Sequence, residues 1–160
     1  MEEKKKLTII LFSGTMDRAL AAFIIANTGA AMGMDVSIFF TFWGLNVLKR
    51  YDRPPTGKGW MRKLLNWMNR GSAGRLPLSR FNFAGMGPWM MNRLMREQRM
   101  ASLPEMIAQA KALGVKLIAC TTSCGLMGIS EENVVPDVDL FAGAATYLGE
   151  ATQASVNLFI

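Results

Sequence analysis

The chain has no histidine and only two cysteines, Cys120 and Cys124, in 160 residues. Without an imidazole there is no Ser–His–Asp triad and no Cys–His nucleophile pair, and the commonest protein metal ligand is missing. Two thiols do not complete the four-ligand shell of a structural zinc, and they do not make a disulfide scaffold. No window reaches the roughly 18 uninterrupted apolar residues of a membrane-spanning helix. The apolar run Leu7–Phe12 behind the charged start Met1–Lys6 is too short for a signal peptide. The expectation is therefore a cytoplasmic protein with free thiols. Gly14 does not belong to a Gly-x-Gly-x-x-Gly fingerprint, so no dinucleotide is expected. With 51% apolar and 19% charged residues, the composition suits one globular domain, residues 1–160, with a sizeable core.

Acidic residues are scarce in one place. Between Lys49 and Arg99 stand 12 basic residues against Asp52 and Glu97 alone, so this segment carries +10. The rest of the chain, with six basic and ten acidic residues, carries −4. The basicity belongs to a segment and not to the whole domain.

Regular patterning begins with Leu7–Phe12, the kind of apolar run found in parallel strands buried on both faces. Ser13 or Thr15 is placed to cap a helix from about Met16, with Asp17 in the first turn and Gly33 as its stop. Val36–Phe40 reads as a second strand that runs out into Thr41-Phe42-Trp43-Gly44, with a short helix over Leu45–Arg50. Ser102-Leu103-Pro104-Glu105 is a capping box that opens a helix closed by Gly114. Val115–Ala119 is a third strand, ending at Cys120. A helical turn from Ser130, a brief strand at Val138–Phe141, a helix over Gly143–Ala151 and a last strand in Ser155–Ile160 follow. This alternation, with about five short strands, predicts a three-layer α/β/α fold around a mostly parallel sheet.

Residues 51–101 interrupt the pattern. Asp52–Gly59 is a loop by its proline and glycine content. Trp60, Leu64, Trp67 and Met68 recur at helical spacing among Arg62, Lys63 and Arg70, which makes an amphipathic basic helix. Gly71–Gly87 is irregular. Pro88–Met100 is a second helix, with Met91, Leu94 and Met95 interleaved with Arg93, Arg96 and Arg99. The insert holds seven of the 13 methionines and three of the four tryptophans, so it covers or contacts something. Three readings stay open. It is a basic amphipathic surface for an anionic membrane, a methionine-rich docking surface for a partner, or a flap over the sheet edge or a neighbouring subunit. Specific nucleic-acid binding is not expected, because positive charge alone carries no sequence information.

Both cysteines fall in the stretch Val115–Ile129. In an open α/β sheet, ligands and chemistry gather beyond the carboxyl ends of the strands. A thiol there meets helix N-terminal amides that favour the thiolate. Cys120 is therefore the candidate catalytic residue, set against the plainer alternative of a small buried hydrophobe. Backbone amides of Thr121, Thr122, Ser123 and Gly125 are candidates to stabilise its anion. Cys124 is either a resolving thiol, sharing a face with Cys120 if this turn opens a helix, or an incidental one. Ser13, Gly14 and Asp17 follow strand one, and Phe42, Trp43 and Gly44 follow strand two. All six share the Cys120 edge and are pocket candidates by position. Against this, Ser13-Gly14 also reads as a plain turn with a helix cap, and Trp43 as a packing or subunit-contact residue.

The residues Leu113-Gly114-Val115-Lys116-Leu117-Ile118-Ala119-Cys120, Ser123 and Leu126-Met127-Gly128-Ile129 resemble the DsrE/DsrF/DsrH-like family of sulfur-relay proteins. Gly85-Met86-Gly87-Pro88-Trp89-Met90-Met91 and Gly143-Ala144-Ala145-Thr146-Tyr147-Leu148 extend the resemblance over nearly the whole chain. The resemblance implies a DsrE-like fold, a homo-oligomer, and sulfur carried as a persulfide on Cys120. The residue set gives no reason to expect a metal, no cofactor is expected beyond that covalent sulfur, and the expected partners are sulfur donor and acceptor proteins or small thiols. Cys124 departs from the apolar residue expected there. No Pro-x-x-x-Thr-x-x-Cys pattern supports peroxiredoxin chemistry. The expected function is a sulfurtransferase or sulfur carrier. Beside it stand a non-catalytic oligomeric binding module and a peripheral membrane adaptor working through the insert.

Overall fold

The computed structural model describes residues 5–54 and 57–160. The readings made on Met1–Lys4, and on Pro55 and Thr56 of the loop, lie outside the described residues. Five strands pair in the order β4-β3-β2-β1-β5: β1 (Lys6–Leu11), β2 (Asp35–Phe40), β3 (Lys116–Cys120), β4 (Leu140–Ala142) and β5 (Val156–Phe159). The expectation was a mostly parallel sheet, and every pairing between these strands is parallel. Helices α1 (Met16–Ala31) and α4 (Leu103–Ala112) make the crossovers from β1 to β2 and from β2 to β3. The remaining helices are α2 (Trp60–Met68) and α3 (Met86–Glu97) in the insert, α5 (Thr121–Met127) after β3, and α6 (Ala144–Ala151) before β5.

Side chains alternate across a strand, and the core divides accordingly. Leu7, Ile9, Leu11, Val36, Ile38, Phe40, Leu117 and Ala119 join Phe23 and Ala26 of α1 and Ile107 and Ala110 of α4 in one large cluster. The intervening residues Phe39, Ile118 and Cys120 join Ala142 and Tyr147 in a small cluster on the other face. A fully buried Leu, Ile or Phe contributes about 1.5–3 kcal/mol, so the α1/α4 side carries most of the stability. The thin side holds Cys120. Its ordering contacts include the Phe39 and Tyr147 rings, 5.2 Å apart, and a Thr8–Tyr147 hydroxyl pair at 3.3 Å.

Two local expectations are corrected. Thr15 stands at the N-cap of α1, but its hydroxyl caps nothing. It pairs instead with the Ser13 hydroxyl at 3.0 Å, and the Met16 N–H donates to the Pro77 carbonyl at 2.8 Å. The insert thus satisfies a donor that the local sequence leaves open. The helix expected over Leu45–Arg50 is a 3-10 turn over Phe42–Val47. Lys49 then leaves it to bridge Val134, and the Arg50 N–H donates to the Asn133 carbonyl at 2.7 Å. The capping box at Ser102 forms as expected, with the Ser102 N–H and hydroxyl both 2.7 Å from the Glu105 carboxylate.

The 3-10 turn lies directly against the end of β1. The Gly44 N–H donates to the Phe12 carbonyl at 2.8 Å, and a β-carbon on Gly44 would sit 1.9 Å from the Leu11 carbonyl oxygen. Backbone on both sides leaves nothing flexible to give way. Gly44→Ala is expected to cost about 2 kcal/mol or more. Urea denaturation checks this, and a midpoint unchanged from the parent would refute the close approach.

Candidate functional site

β3 ends on Cys120, and α5 starts on the next residue. Cys120 is the N-cap of α5, with an extended backbone. Its side chain continues the β3 alternation into the small cluster, and the residue is 5% exposed. Burial by itself pushes the Cys120 thiol up. The Ser123 hydroxyl and N–H, the Thr41 hydroxyl and the Thr122 N–H act the other way, and the net value lies below that of an ordinary thiol. Thr41 and Ser123 are themselves joined hydroxyl to hydroxyl at 2.8 Å. A shell of neutral donors thus supports the anion here without an imidazole.

Cys124 stands one turn further along α5 and faces the other way, into the large cluster. Burial, with the Cys120 charge adding to it, pushes its thiol up to about 11. Both cysteines are free thiols. The cation that opposes this at Cys124 is Lys49, whose ammonium burial pushes down to about 8. Lys49 Nζ donates to the Asn69 carbonyl at 3.0 Å and to Asn66 Oδ1 at 3.4 Å. Asn66 Nδ2 in turn donates to the Met127 and Gly128 carbonyls at 2.8 and 3.1 Å. Asn66 therefore ties the insert to the far end of α5.

The pocket candidates divide. Thr122 and Ser123 meet the Cys120 thiol, while Thr121 and Gly125 are exposed on the outer side of α5. Ser13 is buried, and Gly14 lies so close to the Trp43 carbonyl that a β-carbon would sit 2.6 Å from it. Ser13-Gly14 is thus a packed turn under the Phe42–Gly44 loop. Phe42 takes a left-handed backbone, φ 47°, and its ring lies 5.6 Å from that of Phe12. The Phe42 and Trp43 rings are half-exposed at the sheet edge. Asp17 goes elsewhere. It accepts from the Ser79 N–H at 3.0 Å and the Ser79 hydroxyl at 2.6 Å, and it lines an apolar groove with Leu78, Phe81 and Met90.

Sequence reasoning missed Thr41, Lys49 and Asn66. Thr41 carried a readable signal, being the first polar residue after the apolar β2. Lys49 and Asn66 carried none, because their burial depends on contacts between segments far apart in the chain.

With a cysteine of this kind at the end of the third strand of a parallel sheet, the chain matches the DsrE/DsrF/DrsH-like family over residues 3–159. It belongs to that family. The protein YrkE of Bacillus subtilis is 45% identical over 159 residues, covering 99% of each chain. The sulfur carrier protein DsrE2 of Allochromatium vinosum is 33% identical over 164 residues, again covering 99% of each. The YchN protein of E. coli shares the fold, with a TM-score of 0.57 at 12% identity over 98% of this chain and 99% of its own. MTH1491 of Methanobacterium thermoautotrophicum has the same TM-score of 0.57 at 9% identity, over 97% and 99%. At such identities these two structures establish the fold alone. No helix among the described residues of this family member is long and apolar enough to cross a membrane.

The contrast between the two thiols is measurable. Iodoacetamide should alkylate Cys120 with a half-maximal rate below the pH of a free thiol, and Cys124 only near pH 11 or after denaturation. Thr41→Val and Ser123→Ala should each move the Cys120 midpoint upward. Peptide mass mapping of the alkylated protein separates the two sites. Equal profiles for both cysteines would show that the donor shell does not act.

Proposed function

We propose that this protein is a sulfurtransferase or sulfur carrier that holds sulfane sulfur as a persulfide on Cys120. The observation that carries the reading is the Cys120 thiol itself, at the carboxyl edge of the sheet and lowered by the Ser123, Thr41 and Thr122 donors. The name of the relative DsrE2, a sulfur carrier, agrees with it. The Cys120 thiolate attacks the outer sulfur of a donor persulfide. A new S–S bond forms on Cys120, the donor's S–S bond breaks, and the donor leaves as a thiolate. An acceptor thiolate then attacks the same outer sulfur, and Cys120 departs as a thiolate. No oxidant enters, because the sulfane sulfur moves at constant oxidation level. Such exchange needs thiolate character more than a general base, which suits a site without histidine.

Cys124 takes no part in this scheme. Its thiol stays protonated in the large core, and Cys120 faces the small one. The partners are sulfur donor and acceptor proteins or small thiols. The working form is a homo-oligomer, a view supported by Leu148, Val156 and Phe159 standing exposed on α6 and on the edge strand β5. After incubation with a sulfane-sulfur donor, the intact protein should gain about 32 Da. The gain should persist in Cys124→Ser and vanish in Cys120→Ser. An adduct retained in Cys120→Ser would reject this assignment.

The face of the insert supports a second reading, peripheral attachment to an anionic membrane surface. Trp60 is 73% exposed and Phe81 74%, with Met61, Trp67, Met68 and Phe83 also in solvent and the basic residues of the +10 segment among them. Apolar side chains in a cationic field suit the boundary of acidic headgroups. In flotation assays the protein should rise with vesicles of mixed acidic and neutral phospholipid and stay behind with neutral vesicles. A Trp60→Ser, Trp67→Ser double variant should float several-fold less. Equal recovery with both kinds of vesicle would count against it.

A further inference from the structure

The connection from β2 into the insert encloses a feature that the Cys120 chemistry does not use. A cavity of about 30 Å³ lies there, lined by Lys49, Arg50, Arg53, Asn66, Asn69 and Arg70 among others. Among the described residues no carboxylate lines it. Asp52, next in the chain, pairs with Arg50 at 2.8 Å and is not among the lining residues. Arg70 is held over the Tyr51 ring, 5.7 Å from its centroid, and Arg53 and Arg70 are both exposed at the mouth.

Lys49 is the deepest of these cations, only 7% exposed. Its ammonium has three N–H groups. Two are directed at neutral acceptors, the Asn69 carbonyl and Asn66 Oδ1, and no ion pair with a carboxylate forms among the described residues. One N–H therefore remains for an occupant of the cavity. Cys124 does not supply the missing negative charge, because its thiol remains neutral well above pH 7. A buried ammonium without a counter-ion is costly, and the Arg53 and Arg70 guanidinium groups around the same space add to the cost.

We propose that this cavity binds one small inorganic oxoanion, of the sulfite, sulfate or phosphate type. The Lys49 ammonium holds it from below, and the Arg53 and Arg70 guanidinium groups hold it from the mouth. The space fits the size class, since a cavity of this volume takes about two waters. A nucleotide or an acidic peptide does not enter without displacing Arg53 or Arg70. Planar guanidinium forks and an ammonium are the usual donors to such oxygens. Bound there, the anion joins the end of α2, through Asn69 and Arg70, to Lys49 at the end of the β2 connection. The site is separate from Cys120, and the proposal does not rest on the persulfide reading.

Sodium sulfate, phosphate and sulfite, each titrated into the full-length protein against sodium chloride at matched ionic strength, test it by calorimetry and by thermal unfolding. The expected result is one saturable site per chain for at least one oxoanion, with a melting temperature that rises with occupancy as ligand linkage requires. The three arms identify which anion is preferred. Lys49→Met should weaken the binding by about tenfold or more, and an Arg53→Gln, Arg70→Gln double variant by several-fold. If Lys49→Met does not fold, the mouth variant decides. Loss of binding in that variant, with its circular dichroism and cooperative unfolding unchanged, supports the site. Titrations indistinguishable from chloride, or equal affinity in the parent and the mouth variant, overturn it.

Discussion

Parallel pairing of β2 with β3 sets Phe40 beside Ala119, so the next residues out, Thr41 and Cys120, reach the carboxyl edge of the sheet together. Everything at the candidate site depends on that register. It brings the Thr41 hydroxyl to the Ser123 hydroxyl at 2.8 Å, and with it to the thiol. A one-residue slip would turn Cys120 toward α1 and α4 and send Thr41 to the wrong level. The large apolar cluster on the α1/α4 face penalises such a slip heavily, so the stability of one face secures the setting of Cys120 on the other.

The two cysteines show how local donors outweigh burial. Both are buried and stand one helical turn apart. Desolvation raises each of them. Cys120 has hydroxyl and amide donors that favour its anion. Cys124 has core hydrocarbon, a neighbouring thiolate and a lysine that only partly opposes them. Donated hydrogen bonds hold Cys120 down, and burial without such donors pushes Cys124 up, so two chemically identical groups differ through their surroundings alone.

The insert belongs to the main core. Leu76 and Met95 are buried in it, the Pro77 carbonyl accepts from the first N–H of α1, and Ser79 holds Asp17. The positive charge of residues 49–99 lies in two environments. Most of it stays in solvent beside exposed tryptophan, methionine and phenylalanine. Lys49 is enclosed with amides and arginines around a space that no carboxylate of the described residues lines.

The strands, the crossover helices, the capping box at Ser102 and the strand-end place of Cys120 were legible from apolar periodicity and glycine punctuation. These signals are local and repeat over a few residues. The helix expected over Leu45–Arg50 was not, because backbone from β1 forces a tighter turn around Gly44. Asp17, read as part of the Cys120 edge, is captured by Ser79, a partner 62 residues away. By itself, then, the sequence determined a parallel α/β sheet without histidine chemistry and one thiol at a strand end. Only the tertiary structure decided which donors surround that thiol, why Cys124 differs from it, and that Lys49 lies buried without an acid. Those facts arise from hydrogen bonds and desolvation between segments distant in the chain, and no local pattern of residues encodes them.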